Sequence, residues 1–168
     1  MLVYADRTLP KGSHAEPPLL DHGRRLEALR RVAAAHRGLV AARASHGLLV
    51  DQAEAAHGRW PGASLTILVG SDKARQLFDA AWYEDRDAAL DRLFAVADVR
   101  VAERTGEEGI VAGVLDDPAN ARYRDRVIGI ALPTGVAAVS SSEVRRRLRS
   151  GRPVTDLVPP EVLPLLRG

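Results

Sequence analysis

The sequence contains no cysteine, which excludes disulfide bonds, a thiolate nucleophile and metal sites built on Cys ligands. It has no apolar run long enough to cross a membrane and no secretory leader, so we expect a cytoplasmic protein without a membrane partner. Aromatic residues make up only 4% of the chain, and 24 basic residues are balanced by 22 acidic ones. This composition argues against a protein built mainly to coat nucleic acid, and no nucleic-acid partner is predicted.

The residues that are abundant indicate one globular domain with a substantial core. Of the 168 residues, 46% are hydrophobic and 27% are charged. Strands are predicted at residues 1–5, 38–43, 64–70, 98–104 and 126–132, and helices at 21–36, 48–57, 73–81, 87–95, 141–150 and 160–166. The alternation predicts an α/β fold with a doubly wound, Rossmann-like parallel sheet. Residues 64–70 are apolar throughout, so this strand is expected to be buried on both faces. Residues 9–18 and 104–126 are predicted to be long loops.

Ligands of such sheets bind beyond the carboxyl ends of the strands. One segment near such an end, VSSSEVRRRLRSG at residues 139–151, carries four arginines after three serines. Ser140 is a good N-cap, with Glu143 reaching back in a capping box and Val139 packing on Val144. Gly151 would end the helix. These residues therefore need no ligand to explain them.

Ser141, Ser142 and Arg145 are not explained by capping. Serines beyond the cap are mediocre helix formers, and an arginine near a helix start faces the positive end of the dipole. Helical side chains lean toward the N-terminus, so Arg145 should point back toward the same amides. An anion there would make each of these features favourable. The other arginines, Arg146, Arg147 and Arg149, are interpreted as solvated surface. A phosphate site and a plain capped helix both remain open at this point.

The segment VSSSEVR, residues 139–145, resembles the ISSTxIR motif of the adenylyltransferases that make dinucleotide cofactors. The motif alone also fits the pantetheine-phosphate adenylyltransferases. Residues 69–82, VGSDKARQLFDAAW, resemble the GxD, phenylalanine and tryptophan of the nicotinate/nicotinamide mononucleotide adenylyltransferases. Residues 101–106, VAERTG, resemble that family's strand ending in arginine and glycine. Similar segments in the family's order are LPKGSH (9–14), HGRRLEALRRVA (22–33) and LVPPEVLPLL (157–166).

The resemblance implies adenylyl transfer from ATP to nicotinate or nicotinamide mononucleotide in NAD biosynthesis, with Mg²⁺ accompanying ATP and pyrophosphate released. It implies that the ATP phosphates are bound by Ser140, Ser141, Ser142 and Arg145. Lys11 would approach the mononucleotide phosphate, Trp82 would stack on the pyridine ring, and Arg104 would lie near ATP. Gly70 and Asp72 would line the nucleotide site.

Each substrate residue also has a plain structural interpretation. Asp72 would only cap the following helix, Trp82 would belong to the core, and Lys11 would be a solvated loop charge. Arg104 would pair with one of three nearby glutamates, Glu103, Glu107 or Glu108.

The sequence departs from the family at its start. The family's H-x-G-H motif is absent, because none of the five histidines has that spacing, and no catalytic residue is identified. Residues 1–5 resemble the family's second strand, so the domain of residues 1–168 is expected to lack the first strand and helix. In the family's 3-2-1-4-5 order, this would separate two strands from the rest and leave two unpaired edges.

Three hypotheses follow for the function. The start codon lies upstream and the full protein is an adenylyltransferase, with little or no activity in this chain alone. Alternatively, the chain is a non-catalytic nucleotide-binding remnant, with another chain supplying the missing strand. The third is a nucleic-acid binder using residues 145–149, which the local basic cluster and a pI of 9.4 leave open. The sequence also leaves a homo-oligomer open.

Overall fold

The computed structural model describes residues 1–6, 18–104, 106–137 and 139–166. Within these residues, strands alternate with helices along the chain, and every strand pairing is parallel. This confirms the predicted α/β class with Rossmann-like parallel strands. The chain divides into two compact units. Unit 1 combines Met1–Gly47 with Val139–Gly168, and unit 2 is Leu48–Ala138.

The helices and strands follow the predicted order closely. The strands are β1 Leu2–Ala5, β2 Ala41–Ala44, β3 Leu65–Gly70, β4 Ala97–Glu103 and β5 Val127–Ala131. The α-helices are α1 His22–Ala35, α2 Leu49–Arg59, α3 Ser71–Phe78, α4 Arg86–Val96, α5 Ile110–Leu115, α6 Thr134–Ala137 and α7 Ser141–Arg149. Short 3₁₀ segments lie at Ala80–Trp82, Ala121–Arg126 and Leu163–Leu166. The helix predicted at 73–81 is thus shorter than expected, and the last predicted helix is only a 3₁₀ turn.

Unit 1 contains a two-stranded sheet and the helix that connects its strands. β1 and β2 pair in parallel from Leu2 opposite Ala41 to Ala5 opposite Ala44. The Asp21 carboxylate accepts the amide of Arg24 at 2.8 Å, which confirms the predicted N-cap of α1. Tyr4, which is buried in β1, hydrogen-bonds through its hydroxyl to His22 Nδ1. This contact ties the start of α1 to the sheet.

Unit 2 contains a three-stranded sheet with the order β3-β4-β5. Its core includes Val99 and Val101 of β4 and Leu90 and Leu93 of α4, all with no exposed surface. Burial of one such aliphatic side chain contributes about 1.5–3 kcal/mol. The residues that follow β3 and β4 are therefore presented by a well-packed sheet.

The prediction that β3 is buried on both faces is wrong. Leu65, Ile67 and Val69 pack against the core, while Leu68 is 67% exposed. Leu68 lies opposite Arg100 of β4, and Arg100 lies opposite the exposed Ile128 of β5. Both faces of β3 carry apolar residues, so the sequence pattern could not show that only one face is packed.

Strand pairing among the described residues gives two sheets, β1-β2 and β3-β4-β5. In these residues, β1 pairs only with β2 and β3 only with β4. This pattern agrees with the expected separation of two strands from the rest of the sheet. Among the described helices, none is both long enough and apolar enough to cross a bilayer.

The prediction of a long loop at residues 104–126 is also wrong. This segment contains α5 and the 3₁₀ turn of Ala121–Arg126. Tyr123 is buried, its ring stacks on Phe94 at 4.7 Å between centroids, and its hydroxyl donates to Asp91 at 2.7 Å. Arg124 caps α5 by donating to the Leu115 carbonyl at 2.9 Å. Glycines, aspartates and a proline around α5 concealed its helical pattern in the sequence.

Candidate functional site

The first turn of α7 is fixed by a side-chain cap. Ser140 has an extended backbone, and its hydroxyl accepts the amide of Glu143 at 3.1 Å, as predicted. Glu143 does not complete the capping box. Its carboxylate instead pairs with Arg146 and with Arg147, the latter at 2.9 Å. Two guanidinium groups compete successfully with a neutral amide because charge-assisted hydrogen bonds are stronger.

The side chains predicted to bind phosphate converge on this same turn. Ser141 and Ser142 are exposed. The Arg145 guanidinium lies back over the first turn and donates to the Ser142 hydroxyl at 3.3 Å. The first amides of a helix have no acceptor within the helix itself. Hydroxyls, amides and one guanidinium therefore face a common region at the positive end of the helix dipole, which favours an anion.

The charge of unit 1 also favours an anion. Unit 1 contains 14 Lys and Arg against 7 Asp and Glu, whereas unit 2 contains 10 against 15. The formal net charges are therefore +7 and −5. Because a basic surface attracts polyanions over long distances, α7 lies in the unit better suited to a triphosphate.

Arg147 is not the solvated surface residue that was predicted. Its side chain is only 24% exposed. Nη1 donates to both carboxylate oxygens of Asp156, at 2.7 and 2.8 Å, and to the Pro153 carbonyl at 3.3 Å. With the pair to Glu143, these bonds connect α7 to the segment that follows it. The hydrogen bonds from Arg147 lower the pKa of both the Glu143 and the Asp156 carboxyl.

We expect Arg147→Met to lower the melting temperature by a few degrees at neutral pH and by much less in acid. A lowered folded-state pKa means that stability is present above the unfolded pKa and is lost as pH falls through the folded value. The wild-type advantage should therefore fade as pH drops below the ordinary values of 4.5 for Glu143 and 3.8 for Asp156. Thermal unfolding between pH 7 and pH 3 measures this, with Arg149→Met as the control on the same helix. An equal difference at every pH would contradict the electrostatic role of Arg147.

Gly70 and Asp72 lie at the junction of β3 and α3 in unit 2. Gly70 is the N-cap of α3, and no side chain of the described residues caps this helix. Asp72 is exposed in the first turn, so its interpretation as a simple cap is wrong. A Cβ at Gly70 would meet no atom within 4 Å, which leaves open space over the helix start. Between Gly70 and Asp72, the Ser71 hydroxyl is buried and has no hydrogen-bond partner among the described residues. Sequence reasoning missed Ser71.

Trp82 ends the 3₁₀ turn that follows α3. Its ring is partly exposed, and the residue is not part of the core cluster of unit 2. Phe78, one turn earlier, occupies the core instead and lies 6.3 Å from the Phe94 ring. The interpretation of Trp82 as an ordinary core residue is therefore wrong. The exposed part of the indole is suited to stacking on a planar ligand.

Arg104 is exposed directly after β4. The Glu103 carboxylate accepts the Val111 amide at 3.0 Å, and Glu108 accepts the Gly106 amide at 2.8 Å. Among the described residues, no ion pair joins Arg104 to Glu103, Glu107 or Glu108, so the pairing interpretation is wrong. Arg104 remains available at the carboxyl end of its strand.

The structure brings together only part of the predicted set. Unit 1 holds Ser140, Ser141, Ser142 and Arg145 in one group. Unit 2 holds Gly70, Asp72, Trp82 and Arg104. Lys11 lies outside the described residues. In the described part of the chain, no group of three or more His, Cys, Asp or Glu side chains is placed to hold a metal ion.

Comparison with known proteins identifies a curated relative in Gemmatimonas aurantiaca named "Probable nicotinate-nucleotide adenylyltransferase". The two sequences are 33% identical over 114 residues, which is 68% of this chain and 49% of the relative. The chain therefore spans about half the length of the curated relative that it matches. No protein-family model matches the sequence. The relationship confirms the family predicted from the serine–arginine and GxD segments.

Proposed function

We propose that this chain, which belongs to the nicotinate-nucleotide adenylyltransferase family, holds ATP and a pyridine mononucleotide for adenylyl transfer. In this reaction the mononucleotide phosphate attacks the α-phosphate of ATP, giving the dinucleotide and pyrophosphate in NAD biosynthesis. The observation that carries the proposal is the first turn of α7, where two exposed serine hydroxyls and the Arg145 guanidinium meet at a helix start. A capped helix alone does not require this combination.

The α7 turn would bind the phosphate chain of ATP. The hydroxyls of Ser141 and Ser142 and the first amides would donate to phosphate oxygens, and the Arg145 guanidinium would add a positive charge and planar N–H donors. Mg²⁺ would be held by the phosphate oxygens themselves, and it would neutralise charge that builds up on them. The contribution of these residues is to place the triphosphate and stabilise its charge, rather than to form a covalent intermediate.

The residues of unit 2 would bind the mononucleotide. The pyridine ring would stack on Trp82, and the Asp72 carboxylate would accept a hydrogen bond from a ribose hydroxyl or an amide. Gly70 would let the ligand approach the backbone, because no side chain fills the space above it. Arg104 would approach ATP, and Lys11 is proposed to contact the mononucleotide phosphate. The partly exposed Trp82, which lies outside the core cluster, favours a pyridine substrate over the pantetheine-phosphate alternative.

A second candidate function is nucleotide binding without turnover. It is favoured by one observation, which is that the five histidines of this sequence contain no H-x-G-H pair. We therefore propose that the 168-residue chain binds both ligands but catalyses transfer slowly or not at all. Pyrophosphate release at an ordinary enzymatic rate would overturn the second candidate and leave the first. A cytoplasmic location is part of the same proposal.

Trp82→Leu is expected to weaken binding of nicotinate mononucleotide by about tenfold, because aromatic stacking on one base is worth about 1–3 kcal/mol. The melting temperature should change little, since Trp82 is not part of the core. Isothermal titration calorimetry measures the affinity. The matched control is Trp60→Leu, which removes the other, 44% exposed, tryptophan. Equal affinities in the two variants would contradict the proposed pyridine site.

A further inference from the structure

The C-terminus of α3 is capped by side chains from the segment that follows the helix. The last carbonyls of a helix have no partner within the helix and need one elsewhere. The Leu77 carbonyl accepts the Tyr83 hydroxyl at 2.9 Å, and the Phe78 carbonyl accepts Arg86 Nε at 3.0 Å. The Tyr83 and Arg86 side chains thus cross back over the turn that contains Trp82.

The turn between these anchors also carries hydrogen bonds of its own. The Asp79 carboxylate accepts the Ala81 amide at 2.9 Å, and the Asp79 carbonyl accepts the Trp82 amide at 3.3 Å. The Ala80 carbonyl accepts the Tyr83 amide at 3.2 Å. Hydrogen bonds before, within and after the turn therefore hold the backbone on both sides of Trp82.

The indole ring of Trp82 takes no part in the hydrogen bonds described for this turn. Tyr83 packs against the core cluster and the Arg86 side chain is 14% exposed, whereas Trp82 is not part of that cluster. In the described residues, Trp82 has no aromatic or cation–π partner. A hydrogen-bonded backbone that carries a partly exposed ring outside the core is the arrangement expected of a preorganised ligand platform.

We infer that Tyr83 is a positioning residue for the pyridine mononucleotide, because its hydroxyl bond to the Leu77 carbonyl fixes the turn that presents Trp82. This inference rests on the proposed function, since it assigns Trp82 to the pyridine ring. Tyr83 itself does not touch the ligand. Because its hydroxyl orders the turn before the ligand binds, less conformational entropy is lost on binding.

The protonation state of Tyr83 suits this role. Burial raises the pKa of its hydroxyl to about 12. The facing groups have opposite effects, since the Arg86 charge lowers this pKa and the Asp51 and Asp79 charges raise it. The hydroxyl is therefore a hydrogen-bond donor throughout the ordinary pH range.

The test uses the full chain with Trp60→Phe, which makes Trp82 the single tryptophan. Nicotinate mononucleotide is titrated while quenching of Trp82 fluorescence is recorded, and time-resolved anisotropy reports the mobility of the ring. Tyr83→Phe removes the hydroxyl and keeps the ring. We expect it to raise the dissociation constant about fivefold and to increase ring mobility, because one buried hydrogen bond is lost. The affinity for Mg·ATP should not change.

The matched control is Tyr123→Phe. Tyr123 is the other tyrosine of unit 2. It is buried, and its hydroxyl donates to Asp91. This variant loses a comparable hydrogen bond and should lower the melting temperature similarly, but it should change the mononucleotide affinity by less than about twofold. Asp79→Ala gives a second test on the surface of the turn, because it removes the bond to the Ala81 amide without disturbing the core.

The outcomes separate this inference from the function on which it rests. If Tyr83→Phe and Asp79→Ala leave both the affinity and the anisotropy unchanged, Tyr83 is only structural and the inference is overturned. If the same loss of affinity occurs in Tyr123→Phe, the effect is one of general stability, and the inference is again overturned. Absence of quenching in the Trp60→Phe protein itself would instead contradict the proposed function, and the inference would fall with it.

Discussion

Arg145→Ala is expected to weaken the binding of Mg·ATP by about tenfold to a hundredfold, which corresponds to the loss of hydrogen bonds to a charged group. The variant removes the guanidinium that lies over the first turn of α7, next to the Ser142 hydroxyl. It leaves the Ser140 cap in place, so the helix should still form. The loss should therefore appear in ATP affinity rather than in folding.

Isothermal titration calorimetry of Mg·ATP at two salt concentrations measures this effect. Arg149→Ala is the matched control, because it removes the same charge from the last residue of the same helix, far from the first turn. Arg145→Lys should restore only part of the affinity, because lysine keeps the charge but loses the planar donor pair. If Arg149→Ala weakens binding as much as Arg145→Ala, ATP responds to the charge of the unit and not to a site at the helix start.

Phe94→Ala is expected to lower the free energy of unfolding by about 3–5 kcal/mol, the usual cost of removing a buried aromatic ring. Phe94 is 6% exposed, and its ring is stacked on both Phe78 and Tyr123. These contacts join α3, α4 and the 3₁₀ turn of Ala121–Arg126. The loss of the ring should therefore weaken the packing that holds both the turn containing Trp82 and the segment after β4.

Urea denaturation measures this change, with Leu68→Ala as the control. Leu68 is a similar apolar residue of the same unit, but it is 67% exposed. Its replacement should change the free energy of unfolding by no more than about 0.5 kcal/mol. A large loss of stability in Leu68→Ala would mean that this face of β3 is covered in solution.

Most parts of the fold that depend on local sequence were predicted correctly. Asp21 and Ser140 are N-caps because each side chain reaches an amide only three residues further along the chain. The order of strands and helices follows from changes in apolar spacing, which each segment carries within itself. The separation of the strands into two sheets followed from the order of the segments that resemble the family.

The parts that failed depend on contacts between distant segments. Arg147 was interpreted as surface because nothing in the helix sequence shows that Asp156, nine residues away, meets its guanidinium. Leu68 and Ile67 are equally apolar, so only packing shows which of them is buried. In the segment after β4, Tyr123 becomes a core residue through Phe94 and Asp91, which lie about 30 residues earlier.

The residues of the candidate site also fall into those that local sequence predicts and those that depend on the fold. The phosphate-binding group could be predicted because all four residues lie within six consecutive positions, 140–145. The substrate residues could not be separated from plain structural roles until burial and pairing were known. In the part of the chain that the structure describes, Asp72 does not cap its helix, Trp82 is not in the core and Arg104 is not paired with its neighbouring glutamates. Tyr83 carries no signal in the sequence other than its position next to Trp82.

The proposed function is tested most directly by calorimetric titration of nicotinate mononucleotide into the 168-residue chain, with and without saturating Mg²⁺ and a non-hydrolysable ATP analogue. We expect one molecule of each ligand to bind per chain, with analogue binding weakened in Arg145→Ala and mononucleotide binding weakened in Trp82→Leu. Failure of the unmodified chain to bind either ligand, or binding that neither substitution changes, would contradict the proposed function.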